Sequence, residues 1–122
     1  MTYRILVVDD HEVVRLGLRS LLSNQPDFAV VDEAASADEA LEKVSLHHPE
    51  VVILDIRMPG KNGIEACREI KERFPDVHVL MLTSYAEDEM LFDAISAGAA
   101  GYVLKQGGGE ELVRPCLPVK RF

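Results

Sequence analysis

The chain has 122 residues, 48% hydrophobic and 28% charged, which suits one folded domain with a single core. Its formal net charge of -8 and its lack of a long Lys/Arg run argue against binding to nucleic acid or to an anionic membrane through neutralisation of phosphate groups. Two isolated cysteines, Cys67 and Cys116, are too few for a disulfide framework or a zinc site. With no signal peptide pattern and no apolar stretch of membrane-spanning length, a cytoplasmic protein with reduced thiols is expected.

Short apolar runs predict five β-strands, and helical patterns separate them. The runs occupy residues 5–8, 28–31, 51–54, 77–82 and 101–104. The second run is the weakest and is expected nearer a sheet edge. Alternation of strands and helices predicts a parallel α/β sheet with helices on both faces, but it does not give the strand order.

The segment after the first strand predicts a helix with a broad apolar face. Asp10 stands at its N-cap position. The inward side is predicted from six apolar residues: Val13, Val14, Leu16, Leu18, Leu21 and Leu22. His11 is interpreted as a polar residue of the first turn, with a phosphohistidine or a metal ligand as the alternatives.

Further helices are predicted between the later strands. Ser36 is the expected N-cap of the second helix, and Glu39 stands at the capping-box spacing. The inward residues of the second and third helices are predicted to be Ala37, Ala40, Leu41 and Val44, then Ile64, Cys67, Ile70 and Phe74. Acids at 87–89 favour the start of a fourth helix, and Gly98 favours its end.

The end of the chain departs from this pattern. Residues 110–114 begin a last helix, but Pro115 and Pro118 interrupt it. We therefore expect a domain core over residues 1–106 and a truncated or irregular last helix in an atypical tail over 107–122. Such a tail would leave part of the first helix less covered, which favours self-association through that face.

Polar residues stand where four of the predicted strands end. They are Asp9 and Asp10, Asp55, Thr83 and Lys105. Ligands of open parallel sheets bind at the carboxyl ends of the strands, so these side chains are expected to meet. The set offers oxygen ligands for Mg²⁺ or Mn²⁺, a carboxylate nucleophile, a hydroxyl donor and a cation, which together predict transfer of a phosphoryl group to an aspartate. The alternative, that each Asp caps a helix, explains Asp55 poorly because no helix is predicted to start there.

Four motifs resemble the receiver domains of bacterial two-component response regulators. They are Asp9-Asp10, 54–63 (LDIRMPGKNG), Leu82-Thr83-Ser84 and 99–105 (AAGYVLK). The match covers roughly residues 3–106, and the segment from Val8 to Leu18 is most similar to the subfamily with a LuxR/NarL-type DNA-binding output domain. The resemblance implies a flavodoxin-like (CheY-like) doubly wound sheet of five parallel strands in the order 2-1-3-4-5.

The resemblance also implies a role for each matched residue. Asp55 would accept the phosphoryl group from a phosphohistidine of a sensor histidine kinase. Mg²⁺ (or Mn²⁺) would be bound by Asp10, Asp55 and the backbone carbonyl of Arg57, and by Asp9 mainly through water.

Other matched residues would respond to the phosphoryl group. Lys105 would pair with the acyl phosphate, Thr83 would turn towards it, and Tyr102 would change rotamer as the readout. Three residues would flank the phosphoryl group or the path of the water that hydrolyses it: Arg57, Ser84 and Tyr85. Bulky Arg57 and Tyr85 are expected to slow self-dephosphorylation.

The resulting hypothesis is a phosphorylation-switched receiver, not an enzyme with a separate substrate, that regulates a DNA-binding output. DNA would be bound only through an output domain, for which these residues show no pattern. A stand-alone receiver that binds a partner protein through the face of Thr83 and Tyr102 is the main alternative. A phosphatase of the haloacid dehalogenase kind needs an acid where Arg57 stands. A flavodoxin-like cofactor binder needs a phosphate loop, which does not follow the first strand.

Overall fold

Strands and helices alternate in the computed structural model, which describes residues 2–55, 62–83, 98 and 101–104, with the backbone alone described for Thr83 and for 101–104. The elements are β1 (Tyr3–Val8), α1 (Glu12–Ser23), β2 (Phe28–Ala34), α2 (Ala37–His47), β3 (Val51–Asp55), α3 (Gly63–Arg73), β4 (His78–Thr83) and β5 (Gly101–Leu104). All five predicted strands are therefore present. The predicted fourth helix at 87–89 and beyond, and the tail at 107–122, lie outside the described residues.

The five strands form one parallel sheet in the order β2-β1-β3-β4-β5. This confirms the order that the family resemblance implied. Val8 pairs with Leu54, and Thr83 pairs with Leu104. Because all strands run in the same direction, their carboxyl ends lie along one edge of the sheet.

Hydrophobic residues bury both faces of the sheet. Alternate residues of a strand point to opposite faces, so Leu6 and Val8 pack in one core cluster while Ile5 and Val7 pack in the other. The first cluster contains α2 and α3 residues, and the second contains Leu18 and Leu22 of α1. The described helices thus lie on both faces of the sheet.

Helix α2 buries the four predicted residues, whereas in α3 Cys67 and Ile70 are buried as predicted, Ala66 is buried although it was not predicted, and Ile64 is only partly buried. Phe74, predicted as an inward residue, is the C-cap of α3 and is also only partly buried.

Both helices have well-defined ends. Ser36 Oγ accepts a hydrogen bond from Glu39 N at 3.2 Å, which confirms the predicted cap, and Asn62 Oδ1 accepts one from Glu65 N at 3.0 Å. His48 ends α2 in the left-handed region with φ 49°. None of the helices within the described ranges is long and apolar enough to cross a membrane.

Two expectations for α1 were wrong. The N-cap is His11, not Asp10, and its side chain makes no capping hydrogen bond. The buried stripe is also narrower than predicted: Leu18 and Leu22 are buried, whereas Val13 is 81%, Leu16 66% and Leu21 39% exposed. The reason is geometric: Leu18 and Leu22 are four positions apart and share one face of the helix, whereas Val13 and Leu16 lie on a face that is turned away from it.

Strand β2 extends further than predicted, through Asp32 and Glu33 to Ala34. An irregular register between Ile5 and Leu6 of β1 accompanies this extension of the edge strand. The two acids project to opposite faces, each towards a different helix. Asp32 bonds with Lys43 and His47 of α2, while Glu33 bonds with Arg15 and Arg19 of α1. Those partners explain why two adjacent acids are tolerated inside a strand.

The contacts of Asp32 predict a pH dependence of stability. Burial acts to raise its pKa, but the hydrogen bonds from Glu33 N, Lys43 and His47 outweigh burial and lower the pKa from 3.8 to about 2. A depressed pKa in the folded state adds stability above about pH 4, and that contribution disappears as the pH falls towards 2. We therefore expect Asp32→Asn to lower the melting temperature at neutral pH by a few degrees. The difference from the parent should vanish near pH 2.

Thermal melting followed by circular dichroism from pH 7 to pH 2 checks this expectation. Asp27→Asn, which changes an exposed acid at the other end of β2, is the matched control. A difference between Asp32→Asn and the parent that stays constant over the whole pH range would contradict it.

Candidate acidic site at the strand ends

The carboxyl ends of β1 and β3 bring three aspartates together. Asp9 and Asp10 directly follow β1, and Asp55 is the last residue of β3. The pairing of Val8 with Leu54 places Asp9 beside Asp55 across the two strands. The fold therefore assembles acids that lie 45 or 46 positions apart in the chain.

Among the residues that the structure describes, the site contains four side chains that could bind a cation. One ligand atom from each of Asp9, Asp10, His11 and Asp55 lies within 4.8 Å of the other three. Asp9 is fully buried and Asp55 is 2% exposed, while the side chain of Asp10 is 25% exposed. Asp9 and Asp55 therefore form the buried part of the site, and Asp10 lies where the site is open to solvent.

Electrostatics favour a cation at this place. Carboxylates so close together repel one another, and burial strengthens the repulsion because it removes water. A set of three carboxylates supplies the hard oxygen ligands that Mg²⁺ and Mn²⁺ take. By the chemistry of its donors, the site fits a divalent cation.

Hydrogen bonds hold Asp9 in a defined position. His11 N donates to Asp9 Oδ1 at 2.8 Å, and Asp9 N donates to Ala34 O at 3.1 Å. Arg15 donates from Nη1 to Asp9 O at 2.6 Å and from Nε to Glu33 Oε1 at 3.0 Å. Hydrogen bonds therefore fix the main chain of Asp9 to β2 and α1. The carboxylate is held in position without a bound ligand.

Two residues of this site were missed or underestimated in the sequence. His11 was interpreted as a polar residue of a helical turn, but its Nδ1 lies 3.1 Å from Asp9 Oδ1 and 3.2 Å from Asp10 Oδ1. Its position directly after two acids was the available signal. Arg15 offered a weaker signal, one helical turn after His11, and its contact with Glu33 depends on how far β2 extends.

The remaining predicted site residues are placed only in part. Thr83, the last residue of β4, pairs with Leu104 of β5. Tyr102 of β5 pairs with Met81 of β4. The register thus aligns the ends of β4 and β5 at the same sheet edge as the aspartates. The other predicted site residues lie outside the described residues: Arg57, Ser84, Tyr85 and Lys105.

Comparison with known proteins gives a consistent result. The model of the response regulator receiver domain family matches residues 5–115. The DNA-binding transcriptional activator DevR/DosR of Mycobacterium tuberculosis is 51% identical over 111 residues, which are 91% of this chain and 51% of that protein. The oxygen regulatory protein NreC of Staphylococcus carnosus is 44% identical over 119 residues, or 97% of this chain and 55% of that protein.

A solved structure agrees with these relatives. The crystal structure of a LuxR-family two-component response regulator from Aurantimonas sp. SI85-9A1 superimposes with a TM-score of 0.94 at 39% identity, covering 98% of this chain and 85% of that one. The chain spans about half the length of the curated relatives it matches.

Proposed function

This chain belongs to the response regulator receiver domain family, and from that premise we propose that it is a switch in which Asp55 accepts a phosphoryl group. The observation that carries the proposal is the convergence of Asp9, Asp10 and Asp55 at the carboxyl ends of β1 and β3. One carboxylate can act as the nucleophile while its neighbours hold a cation.

The proposed donor is a phosphohistidine of a sensor histidine kinase. An Asp55 carboxylate oxygen attacks phosphorus, the P–N bond breaks, and the histidine imidazole leaves with the bonding electron pair. Phosphoryl transfer needs in-line positioning and charge neutralisation more than covalent machinery. Bound Mg²⁺ or Mn²⁺ would supply that neutralisation. Asp10, Asp55 and the carbonyl of Arg57 would hold the metal directly, and Asp9 mainly through water.

The response to phosphorylation is assigned to the ends of β4 and β5. We assign Thr83 as the hydroxyl that turns to the phosphoryl group, Lys105 as its cationic partner and Tyr102 as the readout. The pairing of Thr83 with Leu104 supports this, because it sets the ends of the two strands side by side. Self-dephosphorylation by water is part of the same proposal, with three flanking residues: Arg57, Ser84 and Tyr85. The protein then resets its own switch and turns over no separate substrate.

A DNA-binding output is the proposed target of the switch. The relative DevR/DosR is a DNA-binding transcriptional activator about twice as long as the matched segment. A stand-alone receiver acting by protein–protein binding is the alternative. The acidic balance of -8 is compatible with either, since DNA would be contacted by a separate domain.

The function is tested by incubating the protein with Mg²⁺ and acetyl phosphate and measuring its intact mass. Addition of one phosphoryl group per chain, dependent on the divalent cation, is expected. No addition from acetyl phosphate or from a phosphorylated histidine kinase domain would overturn the proposal.

Removal of single carboxylates should separate their contributions to metal binding. Asp10→Asn and Asp55→Asn are expected to weaken Mg²⁺ binding about tenfold to a hundredfold, and Asp9→Asn less, as measured by isothermal titration calorimetry. Without metal, Asp10→Asn should be no less stable than the parent, because the substitution relieves repulsion within the acidic cluster. A large drop in its metal-free melting temperature would instead assign Asp10 a structural role.

The exposed stripe of α1 is a candidate surface for self-association. Its members, Val13, Leu16 and Leu21, are apolar and exposed on one helix. We propose a second copy of this chain as the partner, independent of phosphorylation. Light scattering of the unphosphorylated protein over a concentration series should show the average mass rising. A strict monomer at high concentration would contradict self-association.

A further inference from the structure

The imidazole of His11 lies against the acidic site, on its solvent-exposed side. Its Nδ1 is 3.1 Å from Asp9 Oδ1 and 3.2 Å from Asp10 Oδ1. The same ring belongs to the group of four potential ligands whose atoms all lie within 4.8 Å of one another, together with Asp55. The side chains of the described residues therefore offer three carboxylates and one nitrogen at this place.

We propose that His11 is a nitrogen ligand of this metal site when a divalent transition metal of the Co²⁺, Ni²⁺ or Zn²⁺ type occupies it, and that the imidazole strengthens the binding of those metals while Mg²⁺ is still bound through oxygen ligands. The inference rests on the proposed function in that it concerns the same site. Imidazole suits these metals, whereas Mg²⁺ prefers oxygen ligands and retains water. Loss of the imidazole should therefore affect the two classes of metal differently.

The geometry suits coordination as well as hydrogen bonding. The two N···O separations, 3.1 Å and 3.2 Å, are short enough for one cation to contact Nδ1 and both carboxylate oxygens. A hydrogen-bonded imidazole gives the same distances, and metal binding tells the two roles apart.

The surroundings of His11 allow the ring to act as a ligand. Although His11 is the N-cap of α1, its side chain makes no capping hydrogen bond. The side chain is 64% exposed, whereas that of Asp9 is fully buried, so the ring stands on the open side of the site. The bond from His11 N to Asp9 Oδ1, at 2.8 Å, holds the main chain next to the acids. The main chain of His11 is thus fixed next to the acids, while its exposed imidazole has space to change its orientation.

The test is a pair of titrations with Mg²⁺ and Co²⁺ on the parent chain and on His11→Ala. Isothermal titration calorimetry gives both affinities, and the visible absorption of Co²⁺ reports its ligands. His11→Ala should weaken Co²⁺ binding by about tenfold or more and change the Co²⁺ spectrum. It should alter Mg²⁺ affinity by no more than about twofold, because Mg²⁺ is held by oxygen.

A matched control accounts for adventitious binding by surface histidines. His47→Ala removes a partly exposed imidazole that pairs with Asp32 at 2.9 Å, away from the acidic site. Its Mg²⁺ and Co²⁺ affinities should equal those of the parent. Equal melting temperatures of His11→Ala and the parent without metal would show that the exposed ring is not needed for folding.

The outcomes separate this inference from the proposed function. If His11→Ala changes Mg²⁺ and Co²⁺ affinities by the same factor, or leaves the Co²⁺ spectrum unchanged, the nitrogen-ligand assignment is overturned, while Mg²⁺-dependent labelling of Asp55 stands. If Asp55 is never phosphorylated yet Co²⁺ binding depends on His11, the function is overturned and the metal assignment stands.

Discussion

Asp55→Asn is expected to abolish incorporation of the phosphoryl group from acetyl phosphate in the presence of Mg²⁺. An amide is not a comparable nucleophile, and it also removes one of the three negative charges that would hold the cation. Asp55 is 2% exposed and ends β3 among buried residues. Because Asn has nearly the same shape as Asp, the substitution should nevertheless leave the fold intact. Intact mass spectrometry should show the phosphorylated species in the parent and none in the variant.

Two comparisons make the loss of labelling specific. Asp27→Asn, an exposed acid before β2, should be labelled as fully as the parent. Asp10→Asn keeps the nucleophile and should be labelled more slowly, with partial recovery at high Mg²⁺ concentration. Full labelling of Asp55→Asn would place the phosphoacceptor elsewhere and refute the assignment.

The second large effect is expected within α1, where Leu22→Ala should be far more destabilising than Leu16→Ala. Leu22 is fully buried in the core cluster that α1 forms with the sheet. Removing it should lower the free energy of unfolding by about 2–5 kcal/mol, through lost burial and a residual cavity. That is a large share of a typical domain stability of about 5–15 kcal/mol. Leu16 is mostly exposed, and its replacement should cost less than about 1 kcal/mol.

Urea unfolding of the two variants at several protein concentrations measures both effects. If the stripe of α1 is covered by a second copy, the cost of Leu16→Ala should grow with protein concentration, because only the associated form loses contacts. Equal and large losses for both variants at low concentration would show that Leu16 is buried within the single chain. The narrower buried stripe described for α1 would then be incorrect.

Local pattern was sufficient for much of the fold. Continuous apolar runs located all five strands, because strands buried on both faces leave no room for polar residues. Ser36 was recognisable as a cap because capping depends on residues three positions apart. The predicted second strand, 28–31, ended too early. Asp32 and Glu33 are acidic and resemble loop residues, and only the structure shows that they pair with side chains of α2 and α1.

What the sequence by itself determined was the position of each polar residue at a strand end, and hence that Asp9, Asp10 and Asp55 belong to one sheet edge. Parallel direction is enough for that conclusion, because it sends every carboxyl end to the same side. The strand order did not follow from the alternation; it came from the resemblance of the motifs.

Only the tertiary structure decided which groups touch. The approach of His11 to Asp9 and Asp10, and the clamp of Arg15 between Asp9 and Glu33, depend on the angle at which α1 leaves β1 and on the length of an edge strand. The same angle turns Leu22 of α1 into the core and leaves Leu16 exposed. Helical periodicity tells which residues share a face, but the direction of that face is set by packing between elements distant in the chain.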